Sequence, residues 1–182
     1  MTFFQKKSTA VLTCLLLVAA ALLFGAHRSL GALRRQATDV YVKGDDSGLS
    51  ILANLNSTVE YTSTLVKTAG GYYTAENAAF AAVQTANDRL RTDSADPAAA
   101  RAALSDLMSA CTLLQADYQG RTDIPQEDIR LMNRCINDMI SMKDQMRHSR
   151  YNELAADFND TLAGFPAGLL GSLTGIRALP LF

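Results

Sequence analysis

The chain has 182 residues, room for one domain and one core once any targeting segment is set aside. Its charges nearly balance, 17 basic against 18 acidic, and beyond residue 26 the count is 15 against 18 because only Lys6 and Lys7 precede that point. Such mild acidity, with no Lys/Arg cluster interleaved with aromatics, argues against a phosphate-collecting surface, and no nucleic acid partner is expected.

Residues 1–8 read as a short N-terminal tail. Residues 9–26, Thr9 to Ala26, carry no charge. At about 1.5 Å of rise per residue they reach roughly 27 Å, close to the hydrocarbon thickness of a bilayer. A cleaved signal peptide has a similar layout, but its apolar core is shorter, and a cut after Ala26 would put Phe24 three residues before the cleavage point. Cys14 lies inside the apolar stretch behind Thr13, which does not suit lipidation. The expectation is a retained single-pass anchor whose partner is the membrane lipid bilayer. Arg28, Arg34 and Arg35 outnumber Lys6 and Lys7 and on that count favour a cytoplasmic bundle. The signal-like layout favours export, and an extracytoplasmic bundle is the expectation adopted.

Leu30, Leu33, Ala37 and Val40 keep helical spacing, which predicts that the membrane helix continues over 27–42. Lys43-Gly-Asp-Asp-Ser-Gly48 then breaks it, with Ser47 or Ser50 available to cap the second helix. Asp45 and Asp46 lack the alternating carboxylates and closing Glu of a calcium loop. A second stripe (Ile51, Leu55, Val59, Thr62, Val66, Ala69, Tyr73, Phe80, Val83, Leu90) predicts one helix over 49–92, bent but not ended at Gly70-Gly71. Pro97 opens a third helix over 97–118, with a seam of Leu104, Leu107, Cys111, Leu114 and Tyr118. After the Gly120–Pro125 turn, Ile129, Met132, Ile136, Met139, Met146, Tyr151, Leu154, Phe158 and Leu162 predict a fourth helix over 126–163, interrupted in pattern by Lys143. The fold class expected is all-α: an N-terminal transmembrane helix followed by an antiparallel helical bundle of about four long helices, occupying 27–164. Residues 165–182 form an apolar tail with a short helix in which Leu169, Leu170, Leu173 and Ile176 share a face. That tail could touch the membrane surface or fold back over the bundle's open end, and folding back is preferred because Arg177 is its one charge. Phe158 and Phe165 are expected to hold it there.

A search for chemistry returns little. His27 and His148 have no partner at metal-ligand spacing, and no phosphate loop, nucleophile elbow or zinc-protease motif occurs. Glu76, Asp106, Asp128 and Asp157 are scattered, without the Glu-x-x-His repeats of di-iron bundles. Met132, Met139 and Met146 recur every heptad, a row better suited to core filling than to metal. Cys111 and Cys135 flank the predicted 120–125 turn symmetrically and should neighbour each other as mostly reduced thiols, a disulfide being conceivable only if the bundle is exported. Asn56-Ser-Thr58 and Asn159-Asp-Thr161 fall in helices and read as chance sequons. No catalytic, cofactor-binding or metal residue is assigned, and no enzymatic activity or cofactor is expected.

The C-terminal residues carry a resemblance. Tyr151-Asn152, Phe158-Asn159, Phe165-Pro166, an apolar Gly-rich stretch and a terminal Phe182 follow the order that closes proteins of the LemA family. Ile51, Leu55, Leu65-Val66, Gly71-Tyr72 and Glu76 of the second helix are similar to that family in register. The family's Trp before this helix, its basic stretch and its Pro ahead of the Leu-Val pair are missing, so the chain resembles a divergent member. The resemblance implies a membrane-anchored helical bundle of the bacterial envelope and brings no catalytic residues.

Two classes of function are compatible with these features. One is a non-catalytic envelope scaffold or interaction module that binds a protein partner through a helical face. The alternative is a ligand-, peptide- or lipid-responsive regulator or sensor at the membrane. An exposed groove near Tyr72, Tyr73 and the tail would favour binding, and a fully packed polar surface would favour scaffolding.

Overall fold

Every regular element is a helix in the computed structural model, which describes residues 7–45, 48 and 50–182. In chain order these are α1 (Lys7–Lys43), α2 (Ile51–Ala69), α3 (Ala78–Asp93), α4 (Pro97–Gln119), α5 (Gln126–Arg147), α6 (Arg150–Ala163) and α7 (Ala167–Thr174). The expected all-α class and helical bundle are found. Residues 1–6 of the N-terminal tail, Asp46, the alternative cap Ser47 and Leu49, in the first turn of the predicted second helix, lie outside the described residues.

The chain divides into two compact units, Met1–Ala37 with Leu154–Leu179, and Thr38–Glu153 with Pro180–Phe182. The second unit holds the bundle. There α3 packs along α4, α2 packs along α5, and α2 also meets α3. Short connections between consecutive helices make this an up-down-up-down arrangement. Ile51, Leu55, Leu65, Val83, Leu90, Leu107 and Leu114 are fully enclosed. So are Met132, Met139 and Met146, which places the methionine row in the core. Met139 also accepts a hydrogen bond from Thr62 through its sulfur, at 2.9 Å.

Two predicted helices are each divided in the structure. The single helix predicted over 49–92 is replaced by α2 and α3, because Gly70 ends α2 outright instead of bending it. The Tyr72 and Tyr73 N–H groups both turn back to the Ala69 carbonyl, and Asn77 restarts the chain as N-cap by accepting Phe80 N–H at 2.9 Å. Residues 126–163 form α5 and α6, parted at His148–Ser149. No Gly or Pro marks that break. The Asn152 side chain stabilises it by donating to the Met146 and Arg147 carbonyls at 3.0 and 2.9 Å, the first of which also takes the Ser149 N–H at 3.3 Å. Other boundaries follow ordinary capping. Ser50 accepts Ala53 N–H at 3.2 Å, and Asp96 accepts Ala98 N–H at 2.8 Å with Pro97 next in the chain.

In the first unit α1 is long and apolar enough to cross a membrane, and no part of that window is buried by the protein. Thr13, within it, gives its hydroxyl to the Thr9 carbonyl at 2.8 Å. Further along, Leu30 and Ala37 are buried, as are Ala155 and Phe158 of α6, Ala167 and Leu179. Phe165 is 88% exposed, so the expectation that it holds the tail is wrong: it lies in the turn after α6, outside the helical stripe that buries Phe158. Phe158→Ala should therefore cost about 3–5 kcal/mol, or roughly 6–20 °C in Tm. Phe165→Ala should change stability by less than about 0.5 kcal/mol. Thermal denaturation of both full-length variants in detergent checks the contrast, and equal losses would refute the assigned packing.

Candidate functional site

The second unit contains an open cavity because α4 and α5 draw together only at one end. Near their connecting turn, the Tyr118 hydroxyl and the Gln115 amide both donate to Asn133 Oδ1, at 2.8 and 2.9 Å. The opposite segments, 101–112 and 143–147, line a cavity of about 730 Å³ closed on one side by Leu181 and Phe182. Side-chain size explains the gap. Ser105, Ser109 and Thr112 form a stripe of short residues on α4, and Ser109 and Thr112 turn their hydroxyls to carbonyls of their own helix, at 2.9 Å each. Leu104, Met108, Met146 and Phe182 supply apolar surface. Arg101, Lys143 and Arg147 are exposed around it, and no lining residue is acidic. The ion pairs among the described residues join Lys43 to Asp39, Arg89 to Asp93 and Asp106, and Arg121 to Asp123, leaving these three cations out. Such a cleft can hold an acidic partner with apolar side chains. Its lining contains no His, Cys, Asp or Glu to act as base, thiol nucleophile or metal ligand.

The chain end is latched to α6 by paired amide contacts. Within the second unit, Phe182 N–H donates to Asn152 Oδ1 at 2.7 Å while Asn152 Nδ2 donates to the Phe182 carbonyl at 3.2 Å. Tyr41, Tyr151 and Phe182 form a mutual aromatic cluster with ring centroids 5.5–5.9 Å apart. Within the first unit, Leu179 N–H donates to Asn159 Oδ1 at 2.8 Å and Asn159 Nδ2 returns to the Leu179 carbonyl at 2.8 Å. Each Asn side chain thereby imitates a strand neighbour, satisfying the donor and acceptor of one tail residue.

The sequence-selected residues therefore separate into groups. Tyr151, Asn152, Asn159 and Phe182 build the latch, and Phe158 is core. Pro166 is half-buried beside exposed Phe165. Ile51, Leu55 and Leu65 are core, Val66 is half-buried, and Gly71 and Glu76 are exposed. Tyr72 donates to Asp128, and that bond raises the tyrosine's pKa. The adjoining surface, lined by Lys67, Gly71, Tyr72 and Leu131, is a smaller hollow of about 460 Å³. Nearby, the Arg121 guanidinium sits 4.7 Å from the Tyr73 ring and pairs with Asp123, whose carboxyl it holds below the usual range. Sequence reading passed over Arg101 and Arg147 and saw Lys143 only as an interruption. Residues 101 and 143 lie on different helices, and no spacing rule connects them.

His27 is exposed, and His148 Nδ1 lies 2.8 Å from the Asp144 carbonyl in the last turn of α5. Among the described residues no group of three His, Cys, Asp or Glu is placed to hold a metal. Cys111 and Cys135 are buried free thiols. No protein family, curated protein or solved structure matches the chain.

Burial pushes the Cys111 thiol from 9.0 up to about 12. A raised pKa means the folded state keeps its proton longer, so this contribution to stability is full below pH about 9 and fades as pH climbs toward about 12. Cys111→Ala should accordingly lose less of its denaturant midpoint between pH 9 and 11 than the parent chain does. Tyr41, raised mainly by burial, titrates in both proteins and cancels, while Tyr118, raised by burial and then by Cys111, is relieved slightly in the variant and shifts the comparison the same way. Identical pH profiles would contradict the burial. The latch gives a second expectation, read by hydrogen exchange. Asn152→Ala should deprotect the Phe182 amide more than the Leu179 amide, and Asn159→Ala should do the reverse. Unchanged exchange at both amides would mean that the tail is held by its aromatic ring alone.

Proposed function

We propose that this chain is a single-pass, membrane-anchored, non-catalytic interaction module of the bacterial envelope, similar to LemA proteins, with its bundle outside the cytoplasm. The carrying observation is the bare apolar surface of α1. Leu12, Leu15, Leu16, Leu17, Leu22 and Phe24 are each 57–69% exposed along one helix that continues unbroken into the folded part. A contiguous apolar cylinder of that kind is unstable in water and suited to hydrocarbon, where an unbroken helix also satisfies its own backbone. The α4–α5 cleft supports binding over pure scaffolding, and its three unpaired cations suit an acidic segment of a partner protein. The regulator reading has one specific observation in its favour: Phe182 belongs both to the cleft wall and to the latch, so an occupant of the cleft would touch the latched chain end.

Full-length protein should resist alkaline carbonate extraction from membranes and show its intact mass. A soluble product beginning near His27 would overturn the anchor. With Cys14 replaced by Ser, a cysteine introduced at exposed Ala95 should react with a membrane-impermeant maleimide on intact cells stripped of any outer membrane. Reaction only after lysis would place the bundle in the cytoplasm.

A further inference from the structure

The most apolar segment of the first unit outside the span is turned the wrong way for water. Between Asp160 and Arg177 the sequence has no Asp, Glu, Lys or Arg. The inner side of this stretch is made by small residues. A Cβ on Gly171 would lie 2.7 Å from Leu162 Cδ1, and one on Gly168 would lie 3.1 Å from the Leu162 carbonyl oxygen, so α7 folds tightly onto the end of α6 through its glycines. Two large side chains are left outside, while Ile176 is half-buried. Phe165 is 88% exposed and Leu169 50% exposed. A helix packed against protein through glycine, with Leu169 exposed on it and Phe165 exposed in the turn before it, inverts the pattern of a helix between core and solvent.

The same unit supplies the surface that could cover them. Leu30, 1% exposed, is buried in this unit and follows the end of the uncharged stretch at Ala26 by only four residues. Four residues of helix rise about 6 Å, so the packed part of the unit starts at the level where α1 leaves the hydrocarbon. Apolar groups on the surface of the unit at that level would lie within the interfacial zone, and Arg177, which follows them in sequence, would keep its charge at the headgroups.

We propose that Phe165 and α7 form a second membrane contact, a shallow apolar dip into the leaflet from which α1 emerges. Two attachment points would fix the rotation and tilt of the unit about α1, which one span alone leaves free. The inference rests on the reading of α1 as a membrane span, and its test separates the two.

The chain contains no Trp, so Phe165→Trp introduces a sole indole at an exposed position where the larger ring is tolerated. The full chain carrying it is reconstituted into phosphatidylcholine–phosphatidylglycerol vesicles with and without lipids brominated on the acyl chains. Emission is expected to fall by at least about half with bromines near the headgroup end, and less with bromines near the chain ends, as suits a depth of about 5–10 Å. Leu22→Trp tests the span and should be quenched by the deep bromines. Leu113→Trp, an exposed apolar site in the other unit, should be quenched by aqueous iodide alone. If Phe165→Trp behaves like Leu113→Trp while Leu22→Trp is quenched by lipid, the dip is wrong and the span stands. A blue-shifted Phe165→Trp untouched by brominated lipid would mean protein contact, such as a second copy, and would also overturn the dip. If Leu22→Trp escapes the bromines, the span reading itself fails.

Discussion

An apolar helix entering hydrocarbon has no water to complete its backbone hydrogen bonds, so it must complete them internally, and any break has to wait until the chain is wet again. On the proposed reading of α1 as a span, it meets that constraint by running from Lys7 to Lys43 without interruption, with the hydroxyl of Thr13 turned back on its own helix. The first glycine in the left-handed conformation, Gly44 at φ 86°, comes directly after it. The helix also gains a second role from its length: its later turns become core, with Leu30 and Ala37 buried in one unit and Tyr41 in the other. One element thus has two burial regimes. Its first turns require an apolar exterior and its last turns require neighbours.

Those neighbours include the chain end. A short segment without helix or strand would leave its amides unpaired if it were laid on a protein surface, and a lone hydrophobic side chain seldom holds one in place. Asn152 and Asn159 solve this by pairing with both backbone groups of Phe182 and Leu179. Asn is suited because its amide carries donor and acceptor at backbone spacing; Asp would lack the donor and Leu both.

The fold was legible where periodicity carried it. The stripes of α2, α4 and α5 are buried largely as spaced, and even the Gly70 disruption was visible as a site, though its consequence was not. An end differs from a bend through Asn77 capping a new helix seven residues later, and an Asn inside a helical pattern does not announce that role. The division at His148–Ser149 was less visible still, because the stabilising group is the side chain of Asn152 reaching backward to carbonyls of the previous helix. Phe165 was misplaced for a related reason: an aromatic beside the turn was credited with the burial that belongs to Phe158, one helical stripe earlier. The cleft cations could not be read at all, since their meaning depends on short side chains across a groove that exists only in three dimensions.

That groove ties the latch to binding in a way that neither feature implies alone. The aromatic ring of Phe182 is shared by the Tyr41–Tyr151 cluster and the cavity wall, while its backbone is held by Asn152. Asn152 in turn stabilises the break between α5 and α6. A partner that pressed on Phe182 from the cavity would load the same amide that holds the helix break. A partner that stabilised the ring in place would tighten both. On the proposed binding reading, the sign of any response is set by whether an occupant of the cleft packs against Phe182 or displaces it, and the basic rim formed by Arg101, Lys143 and Arg147 would favour acidic occupants in either case.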